Sequence, residues 1–128
     1  MQAFQVLTHE SSPEVVEIIE PSPGRGEVLL EILACGLNFA DLLMAKGTYQ
    51  QTPDLPFTLG VEVCGTVVSL GPDTEGPRIG TRVAVFGGAG GLAEYGVFPA
   101  DRCLPVPDGM TAVEAAGFQV AYGTSHLA

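Results

Sequence analysis

Hydrophobic and polar residues alternate in short runs along most of the chain, a pattern that is typical of β-strands. Glycine and proline separate the runs and mark the turns between them. The segment 27–34 is mostly apolar at positions that would face both sides of a strand, so we expect it at the centre of a sheet. The predicted strands cover residues 3–7, 15–20, 27–34, 61–70, 81–86 and 92–97.

Two short segments are typical of helices instead. Asn38 can cap a helix that runs through Lys46, and Gly47 follows as a C-terminal stop. A second helix is predicted to begin near Thr111. Many short strands with two short helices indicate a mainly β domain, a barrel or a sandwich, rather than alternating βαβ units. The apolar face of the first helix is predicted to hold Phe39, Leu42 and Leu43.

The composition is that of a compact globular domain. Of the 128 residues, 46% are hydrophobic and 16% are charged, and the 17 glycines and 10 prolines favour a turn-rich fold. The formal net charge of -10 repels nucleic-acid phosphates and anionic lipid headgroups. We therefore expect neither nucleic acid nor a membrane as a partner.

The cysteines and the N-terminal residues indicate the cellular compartment of the protein. Cys35, Cys64 and Cys103 are odd in number and lie mostly in apolar runs, which predicts free, buried thiols in a reducing environment. The opening MQAFQVLTHE lacks a basic segment followed by an apolar one, and no apolar run approaches the roughly 20 residues that span a bilayer. We expect a cytoplasmic protein.

The glycines in VAVFGGAGGLAEYGV fit the G-x-G-x-x-G/A pattern of a dinucleotide-binding turn. That turn requires the last glycine or alanine to open a helix, and a second strand ending in an acid about twenty residues later. Here residues 92–98 alternate like a strand and end at Pro99. The glycines are therefore predicted to form a hairpin or a wide loop between antiparallel strands, whose backbone can still touch a ligand.

Three segments, ACGLNFADLLMAKGTYQ, LPFTLGVEVCGTVVSLG and GTRVAVFGGAGGLAEY, resemble the N-terminal catalytic domain of the medium-chain dehydrogenase/reductase superfamily. The quinone oxidoreductase branch is the most similar. The resemblance implies a mainly β fold, a GroES-like, partly open β-barrel with two short helices. In full-length members an α/β Rossmann domain follows. It also implies that residues 1–128 are the catalytic, substrate-binding domain of a longer two-domain enzyme and are inactive alone.

The resemblance also bears on metal binding. In the zinc alcohol dehydrogenases of the superfamily, a metal-binding Cys stands at the position of Asn38 and a metal-binding His at that of Val61. A catalytic zinc has three protein ligands, whereas this chain offers His9 and His126 without spaced partners. We predict no metal and no zinc. A quinone or conjugated carbonyl is electrophilic enough to accept hydride without a Lewis acid.

The resemblance singles out five candidate site residues. Asn38 either caps the helix or places its amide beside the nicotinamide end of the cofactor and the acceptor carbonyl, and the two roles can coexist. Asp41 is either a first-turn acid favoured by the helix dipole or part of the polar floor of the site. Tyr49 either stacks on or donates to a quinone, or is a partly buried loop aromatic. Tyr122 and Thr124 either approach the nicotinamide or pack a helix.

Glu62 lies in an otherwise apolar strand and must be paired or solvated, and we interpret it as structural. The predicted function is hydride transfer from NADPH to a small quinone or enone, with NADPH rather than NADH implied by the resemblance alone. A homodimer is expected at full length. The alternative is a non-enzymatic module that uses Tyr49 and the loop 87–91 to hold a partner or a small apolar ligand.

Overall fold

The computed structural model describes residues 1–50 and 52–118. Within them, alternating apolar positions form short strands, and the segment after Asn38 forms the helix α1 (Phe39–Ala45). Residues 112–118 are helical, and Ala100–Arg102 form a 3-10 turn. The strands are β1 (Gln2–Val6), β2 (Glu14–Glu17), β3 (Glu27–Gly36), β4 (Phe57–Thr58), β5 (Glu62–Leu70), β6 (Arg82–Phe86), β7 (Tyr95–Pro99) and β8 (Leu104–Pro105).

The strands form two antiparallel sheets, ordered β2-β1-β4 and β7-β3-β5-β6-β8. In the larger sheet β3 is an interior strand that pairs with β5 on one side and β7 on the other, as its apolar composition predicts. Its register against β5 shifts after Leu29 and after Ile32. Such irregularities bend and twist a sheet, which fits the mainly β, open-barrel prediction. That fold class is confirmed.

Apolar side chains pack in three clusters that fix the elements around the larger sheet. The first lies on the inner face of the sheet, and the second packs α1 against β1, β4 and the residues that lead into β5. In the third, small residues let the helical residues 112–118 approach the opposite face of β5 and β6. Its buried members are Cys64, Ala84, Ala115 and Ala116.

The orientation of α1 differs from the prediction. Phe39 and Leu42 are 72% and 60% exposed, whereas Asp41 and Met44 are buried. The helix is turned in this way because the Asp41 carboxylate bonds to backbone groups beneath it. The predicted boundaries of α1 hold, with Asn38 at the N-cap and Gly47 in the left-handed region at φ 74°.

The loop that joins β6 to β7 is wide and is not a hairpin. The two strands are separated in the sheet by β5 and β3, so the loop 87–94 must cross the end of the sheet. It leads into β7 rather than into a helix, as expected from the alternation after the glycines. Strand β7 begins at Tyr95, later than predicted, and β2 ends at Glu17, earlier than predicted.

The three cysteines are free thiols, as predicted. Cys64 and Cys103 are buried, and Cys35 is half-buried. Among residues 1–50 and 52–118, no helix combines the length and the apolar character needed to cross a bilayer.

Candidate active site

The site is built where α1 begins. Asn38 has an extended backbone, with φ -130° and ψ 158°, and occupies the N-cap position. Its N–H donates to Oδ2 of Asp41 at 3.0 Å, and the Asp41 N–H donates back to the Asn38 carbonyl oxygen at 3.0 Å. These two bonds satisfy backbone groups at the helix start and fix the backbone of Asn38.

Asp41 also connects the helix to the neighbouring strand. Its second carboxylate oxygen, Oδ1, accepts the Gly60 N–H at 3.0 Å, and the residue is only 6% exposed. Both oxygens therefore accept bonds from backbone donors. This geometry agrees with the first-turn interpretation of Asp41, and a contact with substrate stays a prediction.

Glu62 lies beside Asn38 at the first position of β5. The Asn38 amide nitrogen Nδ2 donates to Glu62 Oε1 at 3.1 Å, and Glu62 is 3% exposed. The sequence left this acid either paired or solvated, and the structure shows it paired. The contact also shows that the Asn38 side chain turns toward the start of β5.

Cys35 belongs to the same neighbourhood, although sequence reasoning assigned it no role in the site. Burial, followed by the nearby carboxylates of Asp41 and Glu62, raises the pKa of the Cys35 thiol to about 12. The thiol is therefore neutral at physiological pH and is unsuited to nucleophilic chemistry. The alternation along β3 offers no signal for this proximity, because the two acids come from other elements.

A small cleft of about 200 Å³ includes in its lining Val61, which precedes Glu62 in the chain, and Phe86, the register partner of Glu62 on β6. Tyr49 lines the cleft and also packs against the apolar cluster beneath α1. The glycine loop also contributes to the lining. The lining residues are Tyr49, Pro53, Val61, Phe86, Gly87, Gly88 and Ala89.

Backbone hydrogen bonds hold the glycine loop in place. Gly87 N–H donates to the Val61 carbonyl at 2.7 Å, and Gly91 N–H donates to the Gly60 carbonyl at 3.0 Å. An added Cβ at Gly91 would lie 2.5 Å from Val63 and 2.9 Å from the Cys35 sulfur, so the close approach requires glycine there. The loop is thus a fixed wall of the cleft.

The structure brings two of the predicted site residues together and places a third in the lining of the cleft. Asn38 and Asp41 share the helix start, and Tyr49 lines the cleft. Val61 lines that cleft too, and Glu62, the next residue, holds the Asn38 amide. Tyr122 and Thr124 lie outside the described residues.

Within residues 1–50 and 52–118, no group of three or more His, Cys, Asp or Glu side chains is placed to hold a metal ion. At the positions where zinc-binding relatives carry ligands, Asn38 bonds to Glu62, and Val61 is an apolar side chain that is 2% exposed.

The fold and this site can be compared with known proteins. Residues 24–108, well over half of the chain, match the alcohol dehydrogenase GroES-like domain. The chain belongs to this family. The GroES-like assignment agrees with the open-barrel fold, and the resemblance to the medium-chain dehydrogenase/reductase superfamily and its quinone oxidoreductase branch is confirmed.

Two curated relatives match this GroES-like domain over most of its length. The synaptic vesicle membrane protein VAT-1 homolog of Rattus norvegicus is 39% identical over 109 residues, 85% of this chain and 27% of that protein. Quinone oxidoreductase-like protein 2 of Rattus norvegicus is 35% identical over 124 residues, 96% of this chain and 35% of that protein. The chain thus spans about a third of the length of these curated relatives.

A solved relative supports the fold in three dimensions. The quinone oxidoreductase from Thermus thermophilus, which was crystallised also as its complex with NADPH, superimposes with a TM-score of 0.85. It is 38% identical, and the match covers 99% of this chain and 39% of that chain.

Proposed function

We propose that this GroES-like domain binds the electron acceptor in an NADPH-dependent quinone oxidoreductase, and that residues 1–128 work together with a separate nucleotide-binding domain. The observation that carries the proposal is the Tyr49 cleft, whose lining residues Val61 and Phe86 are the chain neighbour and the register partner of Glu62, the residue that holds the Asn38 amide. The quinone oxidoreductases among its relatives support the same class of reaction.

The size of the cleft favours a small acceptor. Complete ligand pockets usually measure about 300–1,000 Å³, and this cleft measures about 200 Å³. It can hold a planar ring but not a whole dinucleotide. Tyr49 and the glycine loop both line the cleft, and stacking on the phenol ring would orient a quinone.

The proposed reaction needs no metal. An alcohol substrate requires a Lewis acid to stabilise its alkoxide, whereas a quinone accepts hydride directly. The side chains at the two positions that bind zinc in metal-dependent relatives agree with this chemistry. Asn38 supplies a neutral amide, and Val61 supplies an apolar wall. The domain then aligns the reactants and provides hydrogen bonds.

NADPH would supply the hydride when it is bound. In this chain Asn38 is the described residue proposed to contact its nicotinamide end, with Tyr122 and Thr124 as the further candidates. The glycine loop does not open a helix, so it offers no helix N-terminus to a pyrophosphate. The phosphates are therefore assigned to the separate nucleotide-binding domain. Cytoplasmic location and a homodimer are proposed for the protein at its natural length.

The first experiment is an intact mass of the native protein, compared with the 13.3 kDa of this chain. A mass of several tens of kDa supports the two-domain oxidoreductase, and its native mass then tests the homodimer. A mass of 13.3 kDa would instead favour the non-enzymatic module that holds a small apolar ligand in the cleft.

The second experiment is NADPH oxidation with simple quinones by the natural-length protein. Asn38→Ala and Tyr49→Ala should abolish most turnover while the circular dichroism spectrum stays unchanged. Tyr95→Phe is the matched control, because this phenol lies on β7 and bonds to Glu31 rather than lining the cleft. Unchanged turnover in both site variants would overturn the assignment.

A further inference from the structure

The Glu62 carboxylate occupies a confined position between two strands. Glu62 is the register partner of Gly36 on β3 and of Phe86 on β6. A Cβ added at Gly36 would lie 2.7 Å from Glu62 Oε1 and 2.5 Å from the Ala116 carbonyl oxygen. Glycine at position 36 therefore leaves the space that the carboxylate uses, and the carboxylate has little freedom to move.

The chemistry of the two side chains determines which end of the Asn38 amide faces Glu62. An ionised carboxylate only accepts hydrogen bonds, whereas an amide has a donor end and an acceptor end. The contact of 3.1 Å must therefore be made by Nδ2, since a rotated amide would place its oxygen against a carboxylate oxygen. Oδ1 and the second N–H of Asn38 are then directed away from Glu62 Oε1.

The remaining freedom of Asn38 is small. Its backbone is fixed through Asp41, which is itself bonded to Gly60. Only the side-chain torsions could vary, and the bond to Glu62 fixes these too. The Asn38 amide is thus held in one orientation before any ligand arrives, which is the preorganisation that catalysis requires.

We propose that Glu62 is a positioning residue for quinone reduction, and that it acts by holding the Asn38 amide in a single orientation. The proposal rests on the proposed function, because it assigns the amide to the acceptor or the nicotinamide end of the cofactor. Glu62 makes no contact with the reactants in this scheme. It differs from a merely structural acid in that its effect passes through Asn38.

The test uses Glu62→Gln, which keeps the shape of the side chain but adds a donor. The new amide can donate to Asn38 Oδ1, so the Asn38 amide can rotate. We expect kcat to fall roughly tenfold, because one orienting hydrogen bond is lost, while the unfolding midpoint changes little. Adding Asn38→Ala to this variant should lower kcat no further than Asn38→Ala does alone. Independent, multiplying losses would overturn the proposal.

A reversed pair separates positioning from folding. In the double variant Asn38→Asp with Glu62→Gln, a carboxylate and an amide again face each other, so the hydrogen bond should return and the unfolding midpoint should stay near that of the wild type. The active-site amide does not return, and kcat should stay low. Recovery of kcat would show that the pair is only structural.

A measurement that does not depend on turnover tests the orienting role of Glu62 separately from the proposed function. In the natural-length protein, selective 15N labelling reports the two side-chain protons of Asn38, one of which is bonded to the carboxylate. That proton should resonate far downfield and move upfield in Glu62→Gln. An unchanged resonance overturns the orienting role, whereas a shifted resonance in a protein without NADPH-dependent quinone reduction overturns the proposed function alone.

Discussion

The Asp41 carboxylate accepts the Gly60 N–H, with 3.0 Å between Oδ1 and the nitrogen, and this bond connects α1 to the chain that enters β5. The two residues are 19 positions apart. Because Asp41 also holds the Asn38 N–H, a single buried side chain sets the distance between the helix start and the strand that carries Glu62. The stability of this corner and the geometry of the site thus depend on the same acid.

Removing this acid should destabilise the protein. Asp41→Ala leaves two backbone N–H groups without their acceptor, those of Asn38 and Gly60. Each unsatisfied buried group costs about 1–3 kcal/mol, so we expect the free energy of unfolding to fall by about 3 kcal/mol. Urea denaturation followed by circular dichroism measures the change.

A matched pair of substitutions provides the control. Asp41→Asn keeps one acceptor oxygen but turns an NH2 group toward an N–H, so it should lose about half as much stability as the alanine variant. Asp73→Asn removes the same charge from an 80% exposed side chain that pairs with Arg25, and it should change stability by less than about 1 kcal/mol. Equal losses at the two sites would contradict the cross-linking role of Asp41.

Gly60 should be intolerant of any side chain. Its φ of 106° lies in the left-handed region, and an added Cβ would lie 2.6 Å from the Leu92 nitrogen and 2.7 Å from the Cys35 sulfur. Gly60→Ala should therefore combine backbone strain with overpacking and lose about 2–4 kcal/mol in thermal or urea unfolding.

A substitution at Gly80 separates backbone strain from overpacking. It has a similar φ of 92°, but an added Cβ would meet nothing within 4 Å. Gly80→Ala should lose only the strain of about 1–2 kcal/mol. If both variants lost the same amount, the close approach of the glycine loop to Gly60 would contribute nothing to stability.

Much of the fold could be predicted from local sequence patterns. The interior position of β3 followed from its apolar residues on both faces, and the bounds of α1 followed from Asn38 and Gly47. The face of α1 could not be predicted in this way. Apolar spacing placed Phe39 and Leu42 inward, whereas the bonds of Asp41 to a distant backbone segment turned the helix. Such long-range polar contacts leave no periodic signal.

The candidate site was only partly visible in the sequence for the same reason. The resemblance named Asn38, Asp41 and Tyr49, but the contact between Asn38 and Glu62 depends on tertiary packing. Glu62 itself could be noticed in the sequence, since a lone Glu in an apolar strand must be paired or solvated. The partner became known only once the start of α1 was placed beside the start of β5.

Stability should fall at alkaline pH because of Cys35. Its pKa is raised to about 12 in the folded protein, against an ordinary value near 9.0. The folded state therefore favours the protonated thiol, and this contribution is complete below about pH 9. It is lost as the pH rises from about 9 toward 12, because the unfolded thiol releases its proton first.

The change is measured by urea denaturation at several pH values between about 8 and 10.5 in wild type and Cys35→Ala. For each protein the free energy of unfolding is plotted against pH, and the difference between the two slopes gives the contribution of Cys35. Other groups that titrate in this range cancel in the difference. They include Cys103, whose pKa is raised to about 11 by burial and then by Asp101. Stability should decline less steeply in the alanine variant. Identical slopes would show that Cys35 ionises at its ordinary pH when folded.

If the acceptor binds in the Tyr49 cleft, as proposed, narrowing the cleft should select against larger quinones. Ala89 lines the cleft together with Tyr49, and Ala89→Val adds two methyl groups to this lining. One extra methylene against a ligand is worth about 1–3 kcal/mol, so KM for a two-ring naphthoquinone should rise roughly tenfold or more. KM for a one-ring benzoquinone should change much less.

Ala93→Val is the control in the same loop, since Ala93 lines a separate groove beside β1 and is absent from the cleft wall. It should leave the ratio of the two KM values unchanged. The ratio is the informative quantity, because a general disturbance of the loop would raise both constants together. An unchanged ratio in Ala89→Val would place the acceptor outside this cleft, and a selective rise would locate the quinone ring between Tyr49 and the glycine loop.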